Sequence, residues 1–226
     1  MNQTADKTLI EAIKTYDYPP ITYDFLENYE RIFSSMIDLE QFLQSLLLSG
    51  DMRSVKDGVS GILYWGHFRA PYRDVRVDTF RAAVSDTELQ RAREVFRYLE
   101  GTRLTNLKGI GLPQFSNMSF VTKLRTFLDP EHYCVLDKKI ADLAPLNIRL
   151  KRYPTCIPIT QQNERAYEWW VNTCSLLASH LGNHLRPVDI ERGIFWLVEH
   201  GKVAVAAEIL DLCGSQKPLA CTKGPP

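Results

Sequence analysis

Asp137 follows the apolar run Cys134-Val135-Leu136 and precedes Lys138-Lys139-Ile140. A carboxylate at that junction has two compatible uses. It caps the helix behind it by accepting backbone N–H bonds, or it is held at the edge of the core as a charged group for chemistry. The nearest upstream amine is Lys123, fourteen residues before it in "NMSFVTKLRTFLDPEHYCVLDKKI". In a dry pocket a lysine gives up its proton more readily and becomes a nucleophile toward an electrophilic carbon. On a wet helix face it is a phosphate contact or a solvated cation, and both readings stay open. A third cluster, "LYWGHFRAPYR", offers Trp65, His67, Phe68 and Tyr72 as faces and donors for a planar ligand, against the commoner use of helical aromatics as core. His180 and His184 stand at i and i+4, a spacing able to bind metal, but no third ligand falls in register, so no metal is expected.

In "LTNLKGIGLPQFSNMSFVTKL", Gly109, Gly111, Pro113 and the polar pair Ser116-Asn117 separate a helix ending near Leu107 from one starting around Met118. Two short helices joined by a glycine-rich turn leave backbone N–H groups facing outward at a helix start, where the positive end of the dipole attracts phosphate. Such contacts grip a nucleic-acid backbone without reading its sequence. The other reading is an ordinary αα turn with glycine as the C-cap. The gripping candidates are Gly109, Gly111, Gln114, Ser116, Asn117 and Ser119, with Lys138 and Lys139 beyond Asp137.

The elements that must position these groups are helical. Apolar residues recur at three- and four-residue steps in "YERIFSSMIDLEQFLQSLLLSG", "SVKDGVSGILYWGHF", "NERAYEWWVNTCSLLASHLGNHL" and "RPVDIERGIFWLVEHG". "SDTELQRAREVFRYLEG" opens on a Ser-Asp-Thr capping cluster and closes at Gly101. "KVAVAAEILDLCG" makes a last short helix. β-character is confined to "IRLKRYPTCIPI", whose two prolines reduce it to a loop or an edge element. The pattern predicts an all-α chain of about nine helices. A first helical lobe covers 1–68, a linker covers 69–76, a second lobe with the C-terminal helices covers 77–213, and 214–226 form a flexible tail. Of the neighbours Trp169 and Trp170, at most one is expected in the core, because adjacent helical residues do not share a face.

With 27 basic and 27 acidic side chains, no overall field announces a nucleic-acid partner, yet the charge is uneven. Residues 1–60 carry ten acids against five bases, whereas 103–152 carry nine bases against four acids. The five cysteines form no CxxC pair and no zinc or iron–sulfur spacing, which fits reduced, mostly buried thiols. The N-terminus has no basic segment followed by an apolar one, and the longest apolar run is too short to span a bilayer. The expectation is a soluble cytoplasmic monomer without a membrane partner.

The order of glycine-rich hairpin, helix, short loop and "CVLDKKI" resembles the helix-hairpin-helix DNA glycosylase superfamily. The phrasing "MSFVTKLRTFLDPEHYCVLD", with the later "RPVDIERGIFWL", is most similar to bacterial proteins of its 8-oxoguanine DNA glycosylase-fold branch. That resemblance implies two packed helical lobes with a central cleft. It also implies double-stranded DNA as partner and an enzyme that flips a damaged or modified base and cleaves its N-glycosidic bond. Asp137 is then the catalytic carboxylate and Lys123 a candidate Schiff-base nucleophile that would add abasic-site lyase activity. The hairpin residues would bind DNA, and Trp65, His67, Phe68 and Tyr72 would receive the base. No cofactor is implied. The sequence departs from the bifunctional pattern, in which the lysine lies about eighteen to twenty residues before the aspartate; here that count reaches Met118 or Ser119. The iron–sulfur ligands of a sister branch are absent. Two alternatives remain: a non-catalytic DNA-binding module, and an enzyme acting on hypermodified bases of phage genomes, hence defence rather than repair.

Overall fold

In a computed structural model the described residues are 3–98, 103–182 and 184–214, with side chains described to 211. Helices dominate. They are α1 (Gln3–Lys14), α2 (Met36–Leu47), α3 (Met52–Gly66), α4 (Arg73–Ala83), α5 (Asp86–Arg97), α6 (Leu104–Gly109), α7 (Met118–Leu128), α8 (Lys138–Ala141), α9 (Ala144–Asn147), α10 (Gln161–Leu181), α11 (Pro187–Glu199) and α12 (Val203–Gly214). Half of these starts, with Asp137 before α8 among them, are written in short polar side chains. Ser35, Asp51, Asn117 and Thr160 each accept a backbone N–H from the first turn, and Ser85 with Glu88 forms a full capping box.

Two expectations need correction, the helix at residues 29–32 and the number of helices, while the loop reading of 148–159 holds. Residues 29–32, read as the start of a helix, pair instead as β2 (Tyr29–Ile32) with β1 (Ile21–Asp24) in an antiparallel hairpin, Ile21 opposite Ile32. Asn28, at φ 60, makes the left-handed step between them. "IRLKRYPTCIPI" contributes only one bridge, Asn117 to Pro158. The helix count among the described residues is twelve, because the expected nine left out α1, α4 and the short α9. The expected helix stop at Gly101 and most of the expected tail lie outside the described residues; α12 itself runs to Gly214.

Trp170, Phe80, Phe96, Phe115 and Phe127 are fully buried in the core, while Trp169 is only partly covered, so the two tryptophans divide as the helical spacing predicts. α3 packs against α2, α4, α5, α7 and β1. A second group forms around α11, which contacts α1, α8, α10 and α12. The first helix of the chain thus lies against one of the last. The close approach is set by Gly193, where a Cβ would fall 2.7 Å from Ile13 Cγ1 and 2.8 Å from Leu9 Cδ1. A buried ion network joins α2 to α11. Glu40, 2% exposed, accepts from Arg186 and Arg192, and both arginines also bond Asp189.

Candidate active site

The peptide leading to Asp137 is buried and non-helical, so its backbone polar groups need partners from elsewhere. Tyr167 Oη on α10 donates to the Cys134 carbonyl at 3.0 Å, and Trp170 Nε1 donates to the Val135 carbonyl at 2.8 Å. Thr122 Oγ1 on α7 accepts from Leu136 N at 3.1 Å and lies 3.5 Å from the Leu136 carbonyl oxygen. Asp137 therefore leaves the core from a fixed platform. Its Oδ1 accepts from Lys139 N at 2.9 Å and Ile140 N at 3.2 Å, capping α8. Oδ2 makes no hydrogen bond among the described residues. The cap takes one oxygen and leaves the other for a second role.

Lys123 on α7 is 8% exposed. Its Nζ donates to Ser119 Oγ at 3.0 Å, and it lies 5.3 Å from the Phe120 ring centroid. No carboxylate closes an ion pair with it among the described residues. Burial holds the amine below the ordinary lysine range, against the opposing pull of Asp137 and Glu191. That is the dry setting in which a lysine becomes a nucleophile. Gly66 at the end of α3 makes room for it: a Cβ there would stand 2.8 Å from Phe120 Cε1 and 3.2 Å from Lys123 Cδ.

Lys123 and Asp137 line one cavity of about 440 Å³, together with Trp65, His67 and Tyr72. His67 is tilted against Phe120, ring centroids 4.5 Å apart, and meets Tyr72 edge-on at 5.5 Å. Burial, with Lys123 and Arg76 nearby, pushes the imidazole down to about 4, so it is neutral at neutral pH. Phe68, expected beside them, is not in the lining; it packs on the core and carries Arg73 over its ring at 5.5 Å. The reason is helical geometry: past Gly66 the chain turns, and adjacent aromatics go to opposite sides.

Five aromatic or charged lining groups were missed by the sequence reading: Tyr16, Tyr18, Glu191, Phe195 and Glu199. Tyr18 donates to the Trp65 carbonyl at 3.0 Å, and burial pushes its phenol up to about 12. Glu191, 6% exposed on α11, is pushed up to about 8 by burial. Its signal was present in "DIERGIFW": a charged residue between Ile190 and Ile194, both fully buried. At the rim, Glu199 binds Lys139 and, at 3.2 Å, Arg69, which also reaches Asp17 at 3.6 Å.

The expected DNA-gripping residues are partly engaged already. Met118 N donates to the Ile157 carbonyl and Phe120 N to Asn117 Oδ1, so two of the first amides of α7 are spent within the chain. Ser119 serves Lys123, Lys138 Nζ donates to the Pro154 carbonyl, and Gln114, at φ 69, donates to the Arg76 carbonyl. Gly109, Gly111 and Ser116 remain at the surface turn: Gly111 sits at φ +89, Ser116 is exposed, and nothing lies within 4 Å of a Cβ at Gly109. The histidine pair is undone because Gly182 ends α10; His180 pairs instead with Asp6 at 3.1 Å. Among the described residues no cluster of metal-binding side chains occurs, and no helix is long and apolar enough to cross a membrane. Comparison with protein-family models, curated proteins and solved structures returned no match.

Proposed function

We propose that this protein is a DNA N-glycosylase of the helix-hairpin-helix type, built as two helical groups around a cleft, which excises a damaged or modified base. The observation that carries the reading is the meeting of a buried amine, Lys123, and a platform-mounted carboxylate, Asp137, in one aromatic-lined cavity of about 440 Å³. That volume lies in the range of about 300–1,000 Å³ common to small-molecule sites, and its rings suit a base taken out of the stack. As the C1′–N bond lengthens, the sugar gains positive charge that Asp137 stabilises. A water molecule or the Lys123 amine then attacks C1′, and the lysine route proceeds through a Schiff base to strand cleavage. The turn at Gly109–Gly111 is the backbone available to a phosphate.

The test is base release from duplexes carrying 8-oxoguanine, uracil, alkylated bases or hypermodified cytosines, followed by hot alkali. The expected result is cleavage at one lesion class that Asp137→Asn lowers by about 100-fold or more. Borohydride should trap a covalent adduct that Lys123→Ala abolishes. Binding without release from any duplex would instead favour a non-catalytic DNA-binding module, and release only from hypermodified cytosines would favour the phage-defence reading.

A further inference from the structure

The scheme above leaves two carboxyls of the cavity without work: Glu199, which is paired with Lys139 and Arg69 at the rim, and Glu191. It lies on α11 at 6% exposure, and among the described residues no hydrogen bond or ion pair engages it. Its chain neighbour Arg192 is turned to Glu40 and Asp189, so the nearest guanidinium is committed elsewhere. The groups that act on Glu191 are Arg192 and Asp189 from its own helix, Asp137 from the platform and Lys123 from α7, with Tyr16 beyond α1 and Cys134 also within its field. A buried carboxyl facing another carboxylate, with no donor satisfying it, is held in the neutral, proton-bearing form.

We infer that Glu191 is the general acid of this cavity, protonating the departing base, and that the substrate is therefore a base that is neutral in DNA. The inference rests on the glycosylase reading. The C1′–N bond breaks with its electron pair going to the base, and the Glu191 proton moves to that base, which leaves as a neutral molecule. Glu191 remains as a carboxylate. Water or the Lys123 amine forms the new bond to C1′ with its own lone pair, and the proton it then sheds returns to Glu191. Asp137 keeps its charge for the sugar throughout, so the two carboxyls divide the work: one stabilises the cation, the other loads the leaving group. An alkylated base that is already cationic has no need of the proton.

The test uses full-length protein and single-turnover base release from the 8-oxoguanine and hypermodified-cytosine duplexes, as a function of pH, for the parent and Glu191→Gln. Affinity is measured in parallel on the same duplexes with a 2′-fluoro sugar, which resists cleavage. The parent rate should fall as pH rises through about 8. Glu191→Gln should be about 100-fold slower at neutral pH, with no alkaline limb and with affinity within about threefold of the parent. Glutamine matches the neutral acid in shape; in addition, a carboxyl-carbon NMR titration of the unaltered protein should find this side chain protonated at pH 7. Parent-like excision by Glu191→Gln overturns the inference, as does a loss of affinity that equals the loss of rate, or a carboxyl already ionised at pH 7. A parent protein that releases no base from any duplex removes the glycosylase reading itself, and the inference with it.

Discussion

At the scale of single residues the cavity is a problem in proton affinity. Glu191 is held up to about 8 by burial, and His67 is held down to about 4. A folded carboxyl with a raised value binds more protons than the unfolded chain between about 4.5 and 8, so its contribution to stability is complete below that window and lost as pH rises through it. For His67 the sign is reversed: the folded ring binds fewer protons, and stability falls as pH drops from 6.5 toward 4. Thermal unfolding of the parent should therefore decline on both sides. Glu191→Gln should flatten the alkaline side, and His67→Gln the acid side. A Glu191→Gln melting profile parallel to that of the parent up to about pH 9 would show that the carboxyl is not buried as described. Asp137 was legible at this scale because N-cap spacing is local. Glu191 was not, since one charged letter between buried isoleucines becomes informative only once α1, α7 and α8 are seen to face it.

At the scale of elements the decisive part is the non-helical run 134–136, whose backbone is held by Thr122, Tyr167 and Trp170. Trp170→Phe keeps a six-membered ring but removes the pyrrole part of a fully buried indole and leaves the Val135 carbonyl unpaired in the core. The unpaired carbonyl costs about 1–3 kcal/mol, and the cavity left behind adds to it. Thr122→Val strips Leu136 N of its acceptor and costs about 1–3 kcal/mol. On the proposed glycosylase reading, both should lower excision through turnover rather than substrate affinity, because Asp137 loses its platform. Denaturant melts and a split of kcat from KM check this. If either variant kept full turnover, the platform would be dispensable. The helices themselves were readable from apolar periodicity and capping residues. The β1–β2 hairpin was not: its inward positions include Thr22, whose hydroxyl donates to the Gly61 carbonyl, and Asp24, so the strand lacks the alternation that betrays strands. Hydrogen bonds between residues far apart in sequence leave no local mark, which is why the role of Trp170 could not be read in advance.

At the scale of the molecule the cavity is a junction. α3 and α7 supply Trp65 and Lys123, α11 supplies Glu191 and Phe195, and the segment after α1 supplies Tyr16 and Tyr18. Glu40, buried between Arg186 and Arg192, ties α2 to α11 across that junction. Glu40→Ala takes one of the two carboxylates shared by Arg186 and Arg192, leaving Asp189, and should cost up to about 3–5 kcal/mol, read as a lower denaturation midpoint. Loss of base release out of proportion to the loss of folded protein would mean that the tie also sets the spacing of the two walls. An equal loss of both would make it a stabilising contact alone.

The position of α1 also has a consequence in time. Leu9 and Ala12 are fully buried against elements made late in synthesis, and Asp6 meets His180 across 174 residues of chain. The apolar side of α1 stays uncovered during synthesis until α11, far along the chain, has been made. The cavity is complete only when the segment after α1 meets α11, so a chain cut short of α11 should lack that wall although it keeps Lys123 and Asp137.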